Sequence, residues 1–140
     1  MTATTGSEAL ERLGDAPYVS LATWRKNGKE VRTPVWVARA DDRLYVFTEG
    51  TAGKVKRLRN DPHVRVAPCD VHGRVHGDWH EGRGRIVEDA ATEEAAYAAL
   101  LDKYGWQMRL ANFFSRLTGR IDGRAVLEIA LDETAGKGAA

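Results

Sequence analysis

The densest run of chemically capable side chains lies between Lys54 and Arg65. There Lys54, Lys56, Arg57, Arg59 and Arg65 stand against one acid, Asp61, a net of +4 within twelve residues. The whole 140-residue chain carries 21 Lys and Arg against 20 Asp and Glu, so the remainder is net negative by difference. Bases that open a short helix, whose first N–H groups lack intrahelical partners, make a cradle suited to phosphate. Gly53 lets a ligand approach the backbone, and Thr48 and Thr51 supply hydroxyls. The same pattern is also that of a solvated helix face. Nucleic acid is disfavoured as a partner, because the bases are not interleaved with aromatic residues and no nucleic-acid motif is present.

Other reactive residues give weaker signals. His72, His76 and His80 recur every four residues, a metal-binding spacing on a helix, but Gly73, Gly77 and Gly82 oppose a helix there. On a strand, residues four apart are separated by roughly 13 Å, too far to share an ion. No metal site is expected, although His76 and His80 could meet across a turn near Gly77-Asp78. The single cysteine, Cys69, reads as a buried residue at a strand end rather than a nucleophile, and it excludes an internal disulfide. Gly53-Lys54 is followed by Val55, not Ser or Thr, so a P-loop is excluded. Four tryptophans (Trp24, Trp36, Trp79 and Trp106) are expected mainly as core or interface anchors.

The elements that must position these residues are mostly strands. Hydrophobic residues make up 43% and charged residues 29%, a globular balance, and the length corresponds to one domain spanning 1–140. Its core is expected over about 7–131, with a small, polar tail at 132–140. No apolar stretch is long enough for a membrane span and the first residues do not read as a secretory signal, so a cytoplasmic protein is expected. A short helix is expected over Glu8–Leu13, ending at Gly14. Strands are expected at Tyr18–Trp24, Val31–Ala38, Leu44–Thr48, His63–Ala67, Gly82–Val87 and Ala125–Leu131, with an Asn27-Gly28 hairpin turn and a turn at Asp41-Asp42. Helices are expected over Thr51–Arg59, ended by Pro62, over Glu93–Tyr104 with Thr92 as its cap, and over Trp106–Leu117. Pro34 cannot donate to a sheet ladder, so its strand is an edge or is bulged. An edge with free backbone groups suits the polar rim of a planar heterocycle. Six strands with hairpin links suggest a small β-barrel with helical additions.

The succession Arg32-Thr33-Pro34-Val35-Trp36-Val37, then Leu44-Tyr45-Val46-Phe47-Thr48, then Gly53-Lys54-Val55-Lys56-Arg57-Leu58-Arg59-Asn60-Asp61-Pro62-His63-Val64 resembles the split β-barrel flavin and deazaflavin oxidoreductases. These are relatives of pyridoxamine 5′-phosphate oxidase, and within them the chain is most similar to the actinobacterial branch that uses the deazaflavin coenzyme F420. The likeness runs from about Pro17 to Val87. It implies a mainly β (α+β), six-stranded split β-barrel of the FMN-binding type with short helices, assembled as a homodimer with the cofactor in a groove between protomers. Lys54, with neighbouring bases such as Arg57, would hold the cofactor phosphate. Thr48, Thr51, Ala52 and Gly53 would line its path, and Thr33, Pro34, Val35 and Trp36 would lie beside the ring system. The family's oxidase-type signature has an Arg directly before the Lys. Gly53 stands there instead, which favours a cofactor with a longer, acidic tail over FMN, the alternative. The resemblance implies an oxidoreductase that passes a hydride to a small organic acceptor, chemistry carried by the cofactor and needing no acid/base dyad. It assigns no catalytic side chain. Trp79, Trp106 and Tyr104 are candidate walls of the acceptor pocket, although core packing is the readier reading of each. A non-catalytic carrier of flavin, deazaflavin or haem needs the same cradle.

Overall fold

The computed structural model describes residues 6–49, 53–105 and 124–132. Helix α1 (Gly6–Asp15) leads into β1 (Tyr18–Trp24), which turns through Asn27-Gly28 into β2 (Glu30–Val35). Gly28 has a φ of 88°, the conformation this tight turn requires. A single residue, Trp36, separates β2 from β3 (Val37–Ala40), and a turn at Asp41-Asp42 leads to β4 (Arg43–Glu49). Helix α2 (Gly53–Asn60), β5 (His63–Cys69), β6 (His80–Ile86), α3 (Ala90–Tyr104) and β7 (Arg124–Leu131) follow.

The strands form one antiparallel sheet in the order β2-β1-β5-β6-β7-β4-β3. There are seven among the described residues, not six, because the expected strand Val31–Ala38 is broken at Trp36. Its first half pairs with β1 and its second with β4, so consecutive strands occupy opposite edges of the sheet. One residue can join two edges only if the sheet curls until they meet. The result is a half-barrel consistent with a split barrel. Pro34 sits opposite Ser20 on the edge strand β2, where its missing N–H costs no second ladder.

Inward-facing Val19, Leu21, Val35, Val37, Leu44, Val46, Val64, Val66, Leu127, Ile129 and Leu131 form the main core, completed by Ala9, Leu10 and Leu13 of α1 and Val55 and Leu58 of α2. Gly84 permits the approach of α2: a Cβ there would stand 3.1 Å from a Leu58 methyl. The outer face of β3, β4 and β7 is covered by α3. Asp89 caps this helix, its carboxylate accepting from the Thr92 N–H at 2.9 Å, so the expected cap moves three residues upstream. Trp36 stacks on Tyr104 (centroids 4.5 Å apart, planes at 11°), and Phe47 meets Tyr97 edge-on. The expected helix over Trp106–Leu117 and most of the tail lie outside the described residues.

Candidate functional site

Helix α2 is fixed by its apolar side and ended by its sequence. Val55 and Leu58 are buried in the main core, and Pro62 cannot continue the helical hydrogen bonding. The Pro62 carbonyl instead accepts from the Gly84 N–H at 2.8 Å. No acidic residue lies in the first turn. Gly53, Lys56, Arg57 and Asn60, spaced i, i+3, i+4, i+7, share one face. With Trp24, Arg25 and Lys26 at the end of β1, that face lines a cleft of about 250 Å³.

Arg57 organises this end of the helix. Its Nε donates to Oγ1 of the buried Thr23 at 2.6 Å. The guanidinium then lies back across the start of the helix, where a Cβ on Gly53 would stand 2.7 Å from Nη1. Burial first, and then the charge of Arg25, lowers the Arg57 pKa, which therefore still rewards an anionic partner. Lys54 is half-buried in the same first turn.

The remaining expected residues divide between two faces. Thr33 pairs with Leu21 and Val35 with Val19, so both face inward, while Pro34 is exposed on the other side. Trp36 belongs with its ring to the cluster under α3. Thr48, opposite Ala125 near the end of β4, lies five residues before Gly53. Thr51 and Ala52 lie outside the described residues. The edge at Thr33–Trp36 has one neighbour only, leaving its other backbone groups unclaimed by the sheet.

The run of bases is not one patch. Arg65 turns to the outer sheet face, where its Nη2 donates to Glu30 at 3.0 Å and its guanidinium lies 4.8 Å from the centre of the Trp79 ring. Arg32 meets the same carboxylate and the same ring. Burial alone would raise the Glu30 carboxyl, but the two arginines outweigh it and hold it below its ordinary value. Trp79 is thus occupied by two guanidinium groups. His63 stacks on Trp24 and pairs with Glu81.

Tyr104 proves to be a latch. Its hydroxyl accepts from the Val37 N–H at 2.9 Å and donates to the Pro17 carbonyl at 2.9 Å, fixing the corner beside Trp36. Burial pushes its pKa up to about 12. Next to it, the Lys103 ammonium donates to the carbonyls of Gly14, Ala16 and Val37, each at 2.6 Å. Burial pulls Lys103 down to about 8, which leaves it protonated at neutral pH. Trp106, the third candidate pocket wall, lies outside the described residues. Cys69 is fully buried at the end of β5, and burial together with Asp70 raises its thiol pKa, which opposes thiolate chemistry. His80 is buried opposite Val66, whereas His72 and His76 are exposed. No group of three potential ligands gathers for a metal among the described residues.

Sequence reasoning missed Thr23, Trp24, Arg25 and Lys26 as neighbours of α2. The available signal was a second pair of bases immediately before the Asn-Gly turn. Two larger clefts, of about 490 and 560 Å³, flank α1, but Glu8, Glu11, Asp15 and Asp102 outnumber Arg12, Arg39 and Lys103 along their walls and disfavour an anionic ligand.

Residues 6–137 match the family model described as pyridoxamine 5′-phosphate oxidase. No curated protein matches the chain. Among solved structures, the conserved hypothetical protein Rv2991 from Mycobacterium tuberculosis superposes with a TM-score of 0.69 at 20% identity, covering 92% of this chain and 81% of that one. A FAD-binding protein from Mesorhizobium loti gives 0.61 at 19% identity, with coverage of 91% and 88%. HutZ, the heme storage protein from Vibrio cholerae, gives 0.66 at 12% identity, with coverage of 92% and 91%. At these identities the likeness establishes the fold.

Proposed function

Because the chain belongs to the pyridoxamine 5′-phosphate oxidase family, we propose that it is an oxidoreductase that binds the phosphorylated deazaflavin coenzyme F420. The observation that carries this reading is the start of α2, where Gly53 and Lys54 open the helix, the Arg57 guanidinium reaches back from the next turn to Gly53, and the first turn holds no acidic residue. The bound cofactor would supply hydride transfer to or from a small organic acceptor. The protein's part is to hold, orient and exclude water.

In this reading Lys54 and Arg57 grip the phosphate, and Thr23 keeps the guanidinium aimed. Thr48, Thr51, Ala52 and Gly53 line the path, while the free edge of β2 offers backbone groups to the polar rim of the ring. Trp36 acts from beneath, bracing that edge through its stack on Tyr104. A homodimer in the cytoplasm, with the groove between protomers, completes the proposal. FMN is the alternative cofactor. Gly53, where the oxidase-type signature has an arginine, favours the ligand with the longer acidic tail.

Equilibrium titration of the apoprotein with FMN and with coenzyme F420, side by side, tests the reading. Tighter binding of coenzyme F420 is expected, and binding of neither refutes it. The fold shared with a heme storage protein favours, as a second reading, carriage without catalysis. Stopped-flow mixing of the reduced holoprotein with quinone or nitro acceptors separates the two: reoxidation no faster than that of free cofactor identifies a carrier.

A further inference from the structure

Among the described residues one buried side-chain nitrogen or oxygen has no hydrogen-bond partner, and it is Nε of Arg65. The rest of that guanidinium is placed: Nη2 donates to Glu30 at 3.0 Å, and the group lies against the Trp79 ring. Nε faces Glu81, whose Oε2 stands 4.0 Å away, too far for a hydrogen bond. The other oxygen of that carboxylate, Oε1, pairs with Nε2 of His63. All three side chains share the outer face of the sheet. Arg65 is opposite Glu81 in the β5–β6 register, and His63 lies two residues before Arg65 on β5. Other charges also face His63. Asp61 accepts from its backbone N–H at 3.1 Å, Arg83 is opposite on β6, and Glu30 lies beyond Trp24 on β2. From β1 it meets no charge, only the Trp24 ring stacked at 4.5 Å. Of the carboxylates among the described residues, only Glu81 lies within 4.0 Å of both His63 and Arg65.

We infer that Glu81 is a pH-driven arm: protonated His63 holds it, neutral His63 releases it to Nε of Arg65, and Arg65 is then clamped by two carboxylates. Two energies compete for the arm. A hydrogen bond from an imidazolium is roughly twice as strong as one from a neutral ring. Against it stands the cost of a buried donor left without a partner, which is larger on a charged group. With His63 protonated, the charge-assisted pair wins and Nε stays unpaired, as the geometry shows. With His63 neutral that advantage is gone, while the guanidinium keeps its charge. The movement is small. Oε2 must approach Nε by about 1 Å to reach bonding distance, and Glu81 is exposed, so solvent accommodates the rotation. The proton is felt on two sides. Arg65 fixed between Glu30 and Glu81 fixes Trp79, at the entry to β6. An imidazolium over the Trp24 ring adds a cation–π attraction that a neutral ring lacks, at the wall of the cleft beside α2. None of this depends on which cofactor the protein binds.

Heteronuclear NMR of the full-length protein reads the Arg65 Nε–H and the His63 ring in one series between about pH 8 and pH 5.5. An Arg65→Lys variant assigns the arginine signal. At the alkaline end that resonance should lie downfield, as for a donor bonded to carboxylate. On acidification it should move upfield with the same midpoint as the His63 ring. Two variants isolate the arm. Glu81→Gln should flatten the Arg65 curve. His63→Phe, which keeps a ring on Trp24, should hold the resonance at its alkaline position throughout. The Glu81 and His63 side chains are 49% and 44% exposed, and matched amide spectra confirm that both variants fold. An Arg65 signal that stays constant in the wild type while His63 titrates overturns the inference. A shift that survives either substitution undiminished overturns it as well, because Glu81 is then not what carries the proton's effect from His63 to Arg65.

Discussion

Replacing Tyr104 with Phe removes one oxygen atom and leaves the ring that stacks on Trp36. That oxygen accepts from the Val37 N–H and donates to the Pro17 carbonyl, both at 2.9 Å. Val37 is fully buried, so its N–H has no access to replacement water. Each orphaned buried polar group costs about 1–3 kcal/mol. One donor and one acceptor, partly offset by adjustment of the neighbouring Lys103 contacts, therefore give a loss of ~2–3 kcal/mol. With an unfolding entropy of about 2.1 cal/mol/K per residue over this chain, the melting temperature should fall by roughly 7–10 °C. Thermal unfolding followed by circular dichroism reads this directly, and urea unfolding should show a lower midpoint at unchanged slope. The stack and its hydrophobic area are retained, so the deficit belongs to the hydroxyl. A melting temperature within about 2 °C of wild type would refute the latch, since the Val37 N–H would then have found another partner.

Three further outcomes follow from the geometry. Lys54→Ala should weaken cofactor binding by about 1.5–3 kcal/mol, and unchanged affinity by isothermal titration removes Lys54 from the site. Gly82→Ala places a methyl 2.7 Å from the Ala130 backbone oxygen, whereas Gly84→Ala meets only side chains of Leu58 and Val64 at 3.1–3.3 Å. The first should cost about 1–3 kcal/mol and the second less; reversed urea midpoints contradict this packing. For Glu128, burial favours the neutral acid, but hydrogen bonds from Arg85 and Tyr45 outweigh it and hold the carboxyl below its ordinary value. A lowered carboxyl pKa stabilises the fold above the ordinary value and loses that contribution as pH falls through it. The stability gap between wild type and Glu128→Gln should therefore narrow between about pH 5 and pH 3. A gap independent of pH contradicts the pairing.

Much of the barrel was legible because alternation and turn chemistry are local. Tyr18–Trp24 and the Asn27-Gly28 turn follow from their residues alone, and Pro34 left an edge or a bulge, of which the sheet order gives the edge. The break at Trp36 was not legible, for a geometric reason. Val31, Thr33, Val35 and Val37 continue one inward-facing alternation through the corner, since a curling sheet keeps the same face inside. The start of α2 was visible because its bases are contiguous. Counting Arg65 with them was an error of dimension, because a charge sum along the chain merges residues that strands send to opposite faces. Arg25 and Lys26 were invisible as partners of α2 for the converse reason: only the packing of α2 against β1 brings them there.

The position of β7 governs when the sheet can become whole. It lies between β6 and β4, so without it the described strands separate into a four-strand piece, β2-β1-β5-β6, and the β3–β4 hairpin. On the ribosome, then, the hydrogen-bonded ladder stays in two pieces, joined only through Trp36 and the packing of α1 and β2, until Arg124–Leu131 has left the exit tunnel, and closure of the sheet is a late event. A fragment ending at Tyr104 should accordingly unfold without a cooperative transition, and a sharp calorimetric peak from that fragment would contradict this order of assembly.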